Sequence, residues 1–200
     1  MSGKALNSEK RLQILLFAIV FTLSMFFAPF FPWINGTSGI YCEAGYVDVT
    51  IDGRGNGLLE YSTYAGEGRV KFSCPIILVF STIFVVSCFI YLFFIGKIFY
   101  GRHKSMKFAR NSYSEVAKFM ILYGILILAL AYVFLTTYMD FPVYGIEGVD
   151  TIGDLEDYAI SLGCELIGFG TAFGFWLVVL VGLANVFLGI LLLLPDWTSS

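Results

Sequence analysis

The sequence predicts an all-α membrane protein, a bundle of four transmembrane helices with a small β-hairpin or sheet in the first extracellular loop. Three observations lead to this fold class. Hydrophobic residues make up 58% of the 200 positions and charged residues only 14%, whereas soluble domains carry about 25% charged residues. Four apolar runs are long enough to cross a bilayer, which takes about 20 helical residues. The first long connection between them is rich in β-forming residues and glycine.

The four apolar runs cover residues 12–32, 75–96, 116–139 and 166–194. None has a charged residue in its middle, as insertion into lipid requires. The first run is longer than the apolar part of a signal peptide and lacks a small-residue cleavage pattern, so it is interpreted as a retained helix. We therefore predict a single tetraspan membrane domain over residues 1–200.

The charges are segregated between the two sides of the predicted bundle. The N-terminal tail and the loop 97–115, with Lys118 just beyond it, hold nine of the twelve basic residues. The loops 33–74 (the first loop) and 140–165 (the second loop) hold twelve of the fifteen acidic residues. Because basic residues accumulate on the cytoplasmic side, both termini and the loop 97–115 are predicted to be cytoplasmic. The two acidic loops are then extracellular, and the plasma membrane is the expected location.

The first loop has the pattern of a β-hairpin. Tyr46–Ile51 is rich in β-branched residues, Asp52–Gly57 is a glycine-rich turn, and Leu58–Tyr64 resumes β character. We predict a hairpin that turns within Asp52–Gly57. In the second loop, Asp154–Ile160 is interpreted as an extension of the fourth helix by a turn or two.

Three of the four cysteines, Cys42, Cys74 and Cys164, fall on the predicted outer side, where an oxidising compartment permits disulfides. One bridge and one free thiol are expected among them. Cys42–Cys74 is preferred because it would close the first loop at its base, while Cys42–Cys164 and Cys74–Cys164 remain alternatives, as does a fully reduced set. Cys88, inside the second helix, is predicted to be a free packing residue.

Two further features have simple interpretations. Asn35-Gly36-Thr37 is a glycosylation sequon, but it lies so close to the end of the first helix that an unmodified turn is favoured. The acidic loops lack the ligand spacing of a calcium-binding loop, so they are interpreted as solvated surface. No catalytic, cofactor or metal site is predicted, and the single histidine, His103, lies among basic residues.

The fourth helix carries the residues that suit close helix packing. Small residues allow two helix backbones to approach, and an amide can hydrogen-bond to a neighbouring helix. The predicted packing residues are Gly170, Gly174, Gly182, Asn185 and Gly189. Packing inside the bundle is preferred over packing against another chain. The helices have no ionisable residue in the middle third of the membrane, which argues against an ion-coupled transporter.

The chain resembles the claudin and peripheral-myelin-protein superfamily of tetraspan proteins in its architecture. Trp33 shortly after the first helix, Cys42 in the first loop and Arg69 before the second helix occupy places comparable to family features. The family's G-L-W segment is missing, and Cys42 and Cys74 are farther apart than the family's two loop cysteines. The larger first loop distinguishes the chain from tetraspanins, whose second loop is larger and carries a Cys-Cys-Gly motif.

The resemblance implies a non-enzymatic protein that acts by lateral assembly or by contacts of its extracellular loops, as a junction organiser or an auxiliary subunit. Its partners would be the lipid bilayer and other membrane proteins or further copies of itself, with no nucleic acid and no cofactor. A small structural subunit of a large membrane complex, or a channel-forming subunit, is the alternative.

Overall fold

The computed structural model describes residues 2–38, 45–63, 66–102, 109–164 and 166–193. Its main helices are α1 (Ser2–Ser24), α2 (Pro75–Arg102), α3 (Ala109–Thr137), α4 (Asp154–Ser161) and α5 (Phe173–Leu193). Short 3-10 helices, Met25–Phe30 and Tyr138–Asp140, follow α1 and α3.

Four helical stretches in the described part of the chain are long and apolar enough to cross a membrane. They are Lys10–Phe30, Pro75–Lys97, Tyr113–Asp140 and Phe173–Leu193. Only 28–33% of each apolar window is buried within the protein, so the remaining apolar surface needs a lipid environment. The chain is a multi-pass membrane protein, and the predicted number of spans is confirmed.

Five antiparallel strands form one small sheet. They are β1 (Pro32–Ser38), β2 (Tyr46–Asp52), β3 (Asn56–Thr63), β4 (Gly66–Ser73) and β5 (Leu166–Thr171). Their order in the sheet is β4-β3-β2-β1-β5. The predicted hairpin is β2 and β3, and its turn lies between Asp52 and Asn56 as expected. The sheet is larger than the predicted hairpin because β1, β4 and β5 extend it on both sides.

The fourth helix was predicted to begin at residue 166, and this is wrong. Residues Leu166–Thr171 form β5, which pairs with β1, and the helix begins at Phe173. Glycine is a poor helix former, and Gly168 and Gly170 stand in this segment. Asp154–Ile160 is likewise not an extension of the fourth helix. It belongs to the separate helix α4, which ends before Gly163, a glycine in the left-handed conformation with φ 81°.

The other predicted boundaries shift for local reasons. The first span changes from α-helix to 3-10 helix at Met25, and Pro29, which lacks an N–H donor, lies inside that 3-10 segment. Helix α2 continues to Arg102, and helix α3 already begins at Ala109. The predicted loop 97–115 is therefore largely helical, and its residues 103–108 lie outside the described ones.

The chain divides into two compact units. One, the helical unit, comprises Met1–Met25, Phe84–Leu130 and Val178–Ser200, and the other, the sheet unit, comprises Phe26–Ile83 and Ala131–Leu177. The helical unit contains parts of α1, α2, α3 and α5. The sheet unit contains all five strands and α4.

Candidate functional sites

The sheet has one apolar and one polar face because side chains alternate along each strand. On the apolar face Val47, Val49, Ile51 and Leu59 are completely buried. Apolar side chains of the second loop are buried in the same unit, while acidic ones such as Asp140, Glu147 and Asp150 are exposed. The buried apolar residues are Phe141, Val143, Ile146, Val149, Ile152 and Leu155.

Two cross-strand pairs on the apolar face combine a glycine with an aromatic ring. Gly57 lies opposite Phe72, and Gly68 lies opposite Tyr61. In each pair a side-chain carbon on the glycine would overlap the ring. The glycine therefore gives the ring room to lie across the neighbouring strand, and the ring covers backbone that glycine would leave bare.

The polar face carries a row of charged and hydroxyl side chains across four strands. Thr37 pairs with Asp48, Asp48 with Glu60, and Glu60 with Arg69. The guanidinium of Arg69 donates to the carboxylate of Glu60. Because both side chains are partly exposed to solvent, this ion pair contributes little stability, and the row is available to a binding partner.

The free edge of β4 is protected by charge. Ser73 exchanges two backbone hydrogen bonds with Tyr144, of 2.8 and 2.9 Å, on the side away from β3. By alternation along the strand, the backbone groups of Glu67, Arg69 and Lys71 also point away from β3. Charged side chains on an edge strand discourage uncontrolled strand addition, so the polar face is a better candidate for specific contacts than this edge.

Trp33 anchors the start of the sheet. It is completely buried, its indole N–H donates to the carbonyl oxygen of Ala28 at 2.8 Å, and its ring meets Phe134 and Phe175 edge-on at 5.3 and 6.3 Å. A side chain at Gly174 would overlap Trp33. Gly174 thus makes room for this tryptophan, while Gly170 lies in β5, so the two glycines do not form the predicted helix-packing pair.

A hydrogen-bond network joins α1, α2 and α5 in the helical unit. The hydroxyl of Tyr91 donates to Oδ1 of Asn185 at 2.7 Å, and Nδ2 of Asn185 donates to Oγ1 of Thr22 at 3.0 Å and to the carbonyl of Val181 at 2.9 Å. Thr22 donates in turn to the carbonyl of Ala18 at 2.8 Å. Thr22, Tyr91 and Asn185 are completely buried.

Helix α3 joins this network through stacked tyrosines. The rings of Tyr91 and Tyr123 stack with centroids 4.3 Å apart. The Tyr123 hydroxyl lies 3.4 Å from the Ser87 hydroxyl and 3.5 Å from the sulfur of Met25. Among the described residues, no buried side-chain nitrogen or oxygen lacks a hydrogen-bond partner. The network therefore links the four helices, and its buried polar side-chain atoms are all hydrogen-bonded.

The remaining predicted packing residues lie between α5 and α3. A side chain on Gly182 would approach Leu128 at 3.0 Å, and one on Gly189 would approach Ile121 at 2.7 Å. Gly124 of α3 has no room for a side chain either, because the carbonyl of Gly182 lies 2.6 Å from its ideal Cβ position. Glycines on both helices allow the two backbones to approach closely inside this chain.

No family model and no curated protein matches this chain. Its function is therefore inferred from the geometry of the two units.

Two cysteines are free and buried, Cys74 and Cys88. The preferred Cys42–Cys74 bridge is therefore wrong, and so is the Cys74–Cys164 alternative, while Cys88 is free as expected. Cys42 lies outside the described residues. Burial raises the pKa of Cys74 to about 11, despite the opposing effect of the backbone N–H groups of Ile77 and Ile76. This thiol stays protonated at neutral pH and is a poor nucleophile.

The sequon residue Asn35 is part of a strand rather than a turn. Its backbone lies in β1, the strand between β2 and β5, opposite Thr50 and Gly170. Its side chain is exposed. The expectation of an unmodified residue stays a prediction.

Carboxylates in the second loop serve the local structure. Asp154 accepts the backbone N–H groups of Asp150 and Thr151, at 3.1 and 2.8 Å, and the hydroxyl of Thr151 at 2.9 Å. The hydrogen bonds from Thr151 lower the pKa of Asp154. Within the described ranges no group of three or more potential metal ligands comes together.

The sequence identified only one member of the buried network, Asn185. Thr22, Tyr91 and Tyr123 stand alone in apolar runs, where a hydroxyl residue gives little signal because its chain neighbours are all apolar. A usable signal was that each of the first three predicted spans contains at least one hydroxyl side chain, which could bond to Asn185 of the fourth span.

Proposed function

We propose that this chain is a non-enzymatic tetraspan membrane protein that acts through lateral assembly or through contacts of its first and second loops, as a claudin-like organiser or an auxiliary subunit. The observation that carries the proposal is the five-stranded sheet. Four of its strands come from the first loop and its border with the first span, and the fifth comes from the segment after the second loop. The sheet buries most of one face and presents the charged row from Thr37 to Arg69 on the other. A rigid, polar surface of this kind suits specific recognition.

The buried network supports an assembling role over a carrier role. The buried polar side chains of the described helical unit all have hydrogen-bond partners, and Thr22, Tyr91 and Asn185 bond to one another. This favours a structural role for them over solute or ion binding. A channel would therefore need a lining made of surfaces from several copies of this chain. The second candidate function is accordingly a channel-forming assembly or a structural subunit of a larger complex.

The orientation in the membrane is part of the proposal. The N-terminal tail and the loop 97–115, together with Lys118, hold nine basic residues. By the positive-inside rule both termini would then lie in the cytoplasm and the sheet outside the cell. The proposed location is the plasma membrane. Labelling of single cysteines from either side of sealed vesicles tests this. Labelling of position 105 and position 147 from the same side would refute it.

A disulfide between Cys42 and Cys164 completes the proposed outer structure. Cys74 and Cys88 are free, and β1 pairs with β5 in a register that places Ser38 opposite Leu166. In the sequence Cys42 follows the end of this pairing by four residues, and Cys164 precedes it by two. Digestion without reduction should yield a peptide that joins the two cysteines and separates on reduction. Alkylation of all four thiols before reduction would contradict it.

Reconstitution of the pure chain into sealed vesicles separates the proposal from its alternatives. We expect no ion conductance and no solute uptake above protein-free vesicles, because the described polar core is saturated. Steady conductance at protein densities of one monomer per vesicle would overturn the assembling role. Conductance that appears only when many copies share a vesicle would favour the channel-forming assembly.

A further inference from the structure

The turn between β2 and β3 lies against the ends of membrane spans. The N–H of Gly53 donates to the carbonyl of Phe31 at 3.2 Å, and the hydroxyl of Ser81 donates to the carbonyl of Gly53. Ser81 is buried and lies about 9 Å along the helix from Pro75, the start of the second span. The turn therefore lies beside the first two helical turns of the second span and next to the end of the first span.

Most backbone groups of this turn are hydrogen-bonded, which suits a position beside the hydrocarbon. The N–H of Gly55 donates to the carbonyl of Asp52 at 2.9 Å, and its carbonyl accepts the N–H of Cys74 at 2.7 Å. The Asp52 carboxylate accepts the backbone N–H groups of Arg54 and Asn56 at 2.9 and 3.0 Å. The turn is thus rigid, and it fixes the position of the Arg54 side chain.

Arg54 is held at the membrane boundary with one side open. Its Nε and Nη2 atoms donate to Oδ2 of Asp52 at 3.0 and 2.8 Å, and its guanidinium lies 5.7 Å from the ring centre of Phe30. The Arg54 side chain is 55% exposed. Phe30 is 65% exposed and is the last residue of the first span.

A second aromatic contact fixes the same level on another helix. The rings of Phe31 and Phe173 meet edge-on at 5.0 Å, and Phe173 is the first residue of the fourth span. The end of the first span and the start of the fourth therefore lie side by side, and Phe30, which Arg54 contacts, is the residue before Phe31.

We propose that Arg54 binds the phosphate of a lipid headgroup. Three conditions favour this ligand: the guanidinium contacts Phe30 at the end of the first span, Asp52 and Phe30 hold its plane, and the side chain is 55% exposed. A planar guanidinium forms paired hydrogen bonds with phosphate oxygens. Phosphate is the anion that phospholipids present at this depth, so the β2–β3 turn anchors the sheet unit to the headgroup layer.

Arg69 provides a matched control. It is an exposed arginine, 65% exposed at its side chain, that is paired with the carboxylate of Glu60. It stands in the sheet rather than at a span end. Substitution of either arginine by methionine removes one positive charge and keeps a long apolar stem.

The test is native mass spectrometry of the intact chain in an uncharged detergent, titrated with phosphatidylcholine and, separately, with the phosphate-free lipid diacylglycerol. We expect Arg54→Met to weaken phosphatidylcholine retention roughly tenfold, which is the loss of one charge-assisted hydrogen bond. Arg69→Met should retain the lipid like the wild type, and Arg54→Lys should retain part of it. Diacylglycerol binding should be weak and the same in all variants.

Several results would overturn the proposal. Unchanged phosphatidylcholine retention by a folded Arg54→Met protein would do so, as would an equal loss in Arg69→Met. Displacement of the lipid by millimolar inorganic phosphate would show a site for free phosphate instead. The melting temperature of each variant in detergent shows whether that variant is folded. If Arg54→Met does not fold, the variants Asp52→Asn and Arg54→Lys replace it in the test. Unaltered lipid retention by both of them would overturn the proposal.

Discussion

At the scale of single residues, buried polar groups determine how the helices pack. A polar side chain in the interior of a membrane protein is costly unless it is hydrogen-bonded. Asn185 satisfies this condition through Thr22 and Tyr91 on two other helices. One residue of α5 is thereby tied to α1 and α2, and only one relative placement of the three helices meets all the bonds.

Tyr91→Phe removes the donor to Asn185 and leaves its amide oxygen without that partner. We expect a loss of about 1 kcal/mol of unfolding free energy, since interhelical hydrogen bonds in membranes contribute about 0.6 to 2 kcal/mol. Thr136→Val is the control, because the Thr136 hydroxyl bonds only to carbonyls of its own helix. Reversible unfolding in mixed micelles measures both. Equal effects of the two substitutions would show that the network has no special role.

The Cys74 thiol should resist alkylation in the folded protein. Its pKa is raised from 9.0 to about 11 by burial, so thiolate is scarce at pH 8. The raised pKa also makes the free energy of unfolding depend on pH. The stabilisation from the buried, protonated Cys74 thiol is fully present below pH 9, where the folded and unfolded thiols are both protonated, and it is lost as the pH rises through 11. Unfolding curves of the wild type and Cys74→Ala between pH 8 and 11 should therefore converge toward high pH. Rapid alkylation of Cys74 in the folded state at pH 8 would contradict this account.

At the scale of elements, the sequence predicted what depended on neighbouring residues and missed what depended on distant ones. The β2–β3 hairpin and the four spans have local patterns, and both are present. Strand β5 was absorbed into the predicted fourth helix because Leu166–Thr171 continues an apolar run, and only its pairing with β1, more than 120 residues away, makes it a strand. Strand β1 falls almost entirely in the predicted first loop, where Asn35-Gly36-Thr37 was interpreted as a turn, and its pairing with β2 and β5 makes it a strand.

The glycines of the candidate packing site show the same limit. Gly182 and Gly189 lie at a helix contact as their spacing suggests, whereas Gly174 accommodates the distant Trp33 and Gly170 belongs to a strand. The four residues look alike in sequence. What separates them is the element that stands opposite each one, and a single sequence does not contain that information.

Gly189→Ala should weaken the contact between α5 and α3. The added methyl group would lie 2.7 Å from Ile121 and 2.9 Å from the Ala117 carbonyl, and overpacking of this kind costs about 1–3 kcal/mol. Gly96→Ala is the matched control, because no neighbouring atom lies within 4 Å of the added carbon, and it should be neutral or slightly stabilising. Unfolding in mixed micelles compares them. A destabilisation by Gly96→Ala as large as that of Gly189→Ala would refute the packing argument.

At the scale of the whole molecule, each unit supports one part of the proposed function. The described helical unit is a lipid-exposed bundle whose interior polar groups are saturated. The sheet unit combines strands from the two ends of the sequence region between the first and fourth spans and exposes a charged row. Under the proposed function, the sheet unit supplies the surface for a partner and the helical unit supplies the packed support in the membrane.

The most direct test of the assembling role is the mass of the protein extracted gently from its native membrane, compared with Asp48→Arg. Asp48 lies within the charged row of the polar face, between Thr37 and Glu60. We expect the wild type to run as a homo-oligomer or a larger complex, and Asp48→Arg to run at lower mass with an unchanged melting temperature. Asp140→Arg, at an exposed position outside the sheet, should behave like the wild type. A wild type that is monomeric under the gentlest extraction, with the same mass as Asp48→Arg, would contradict the account.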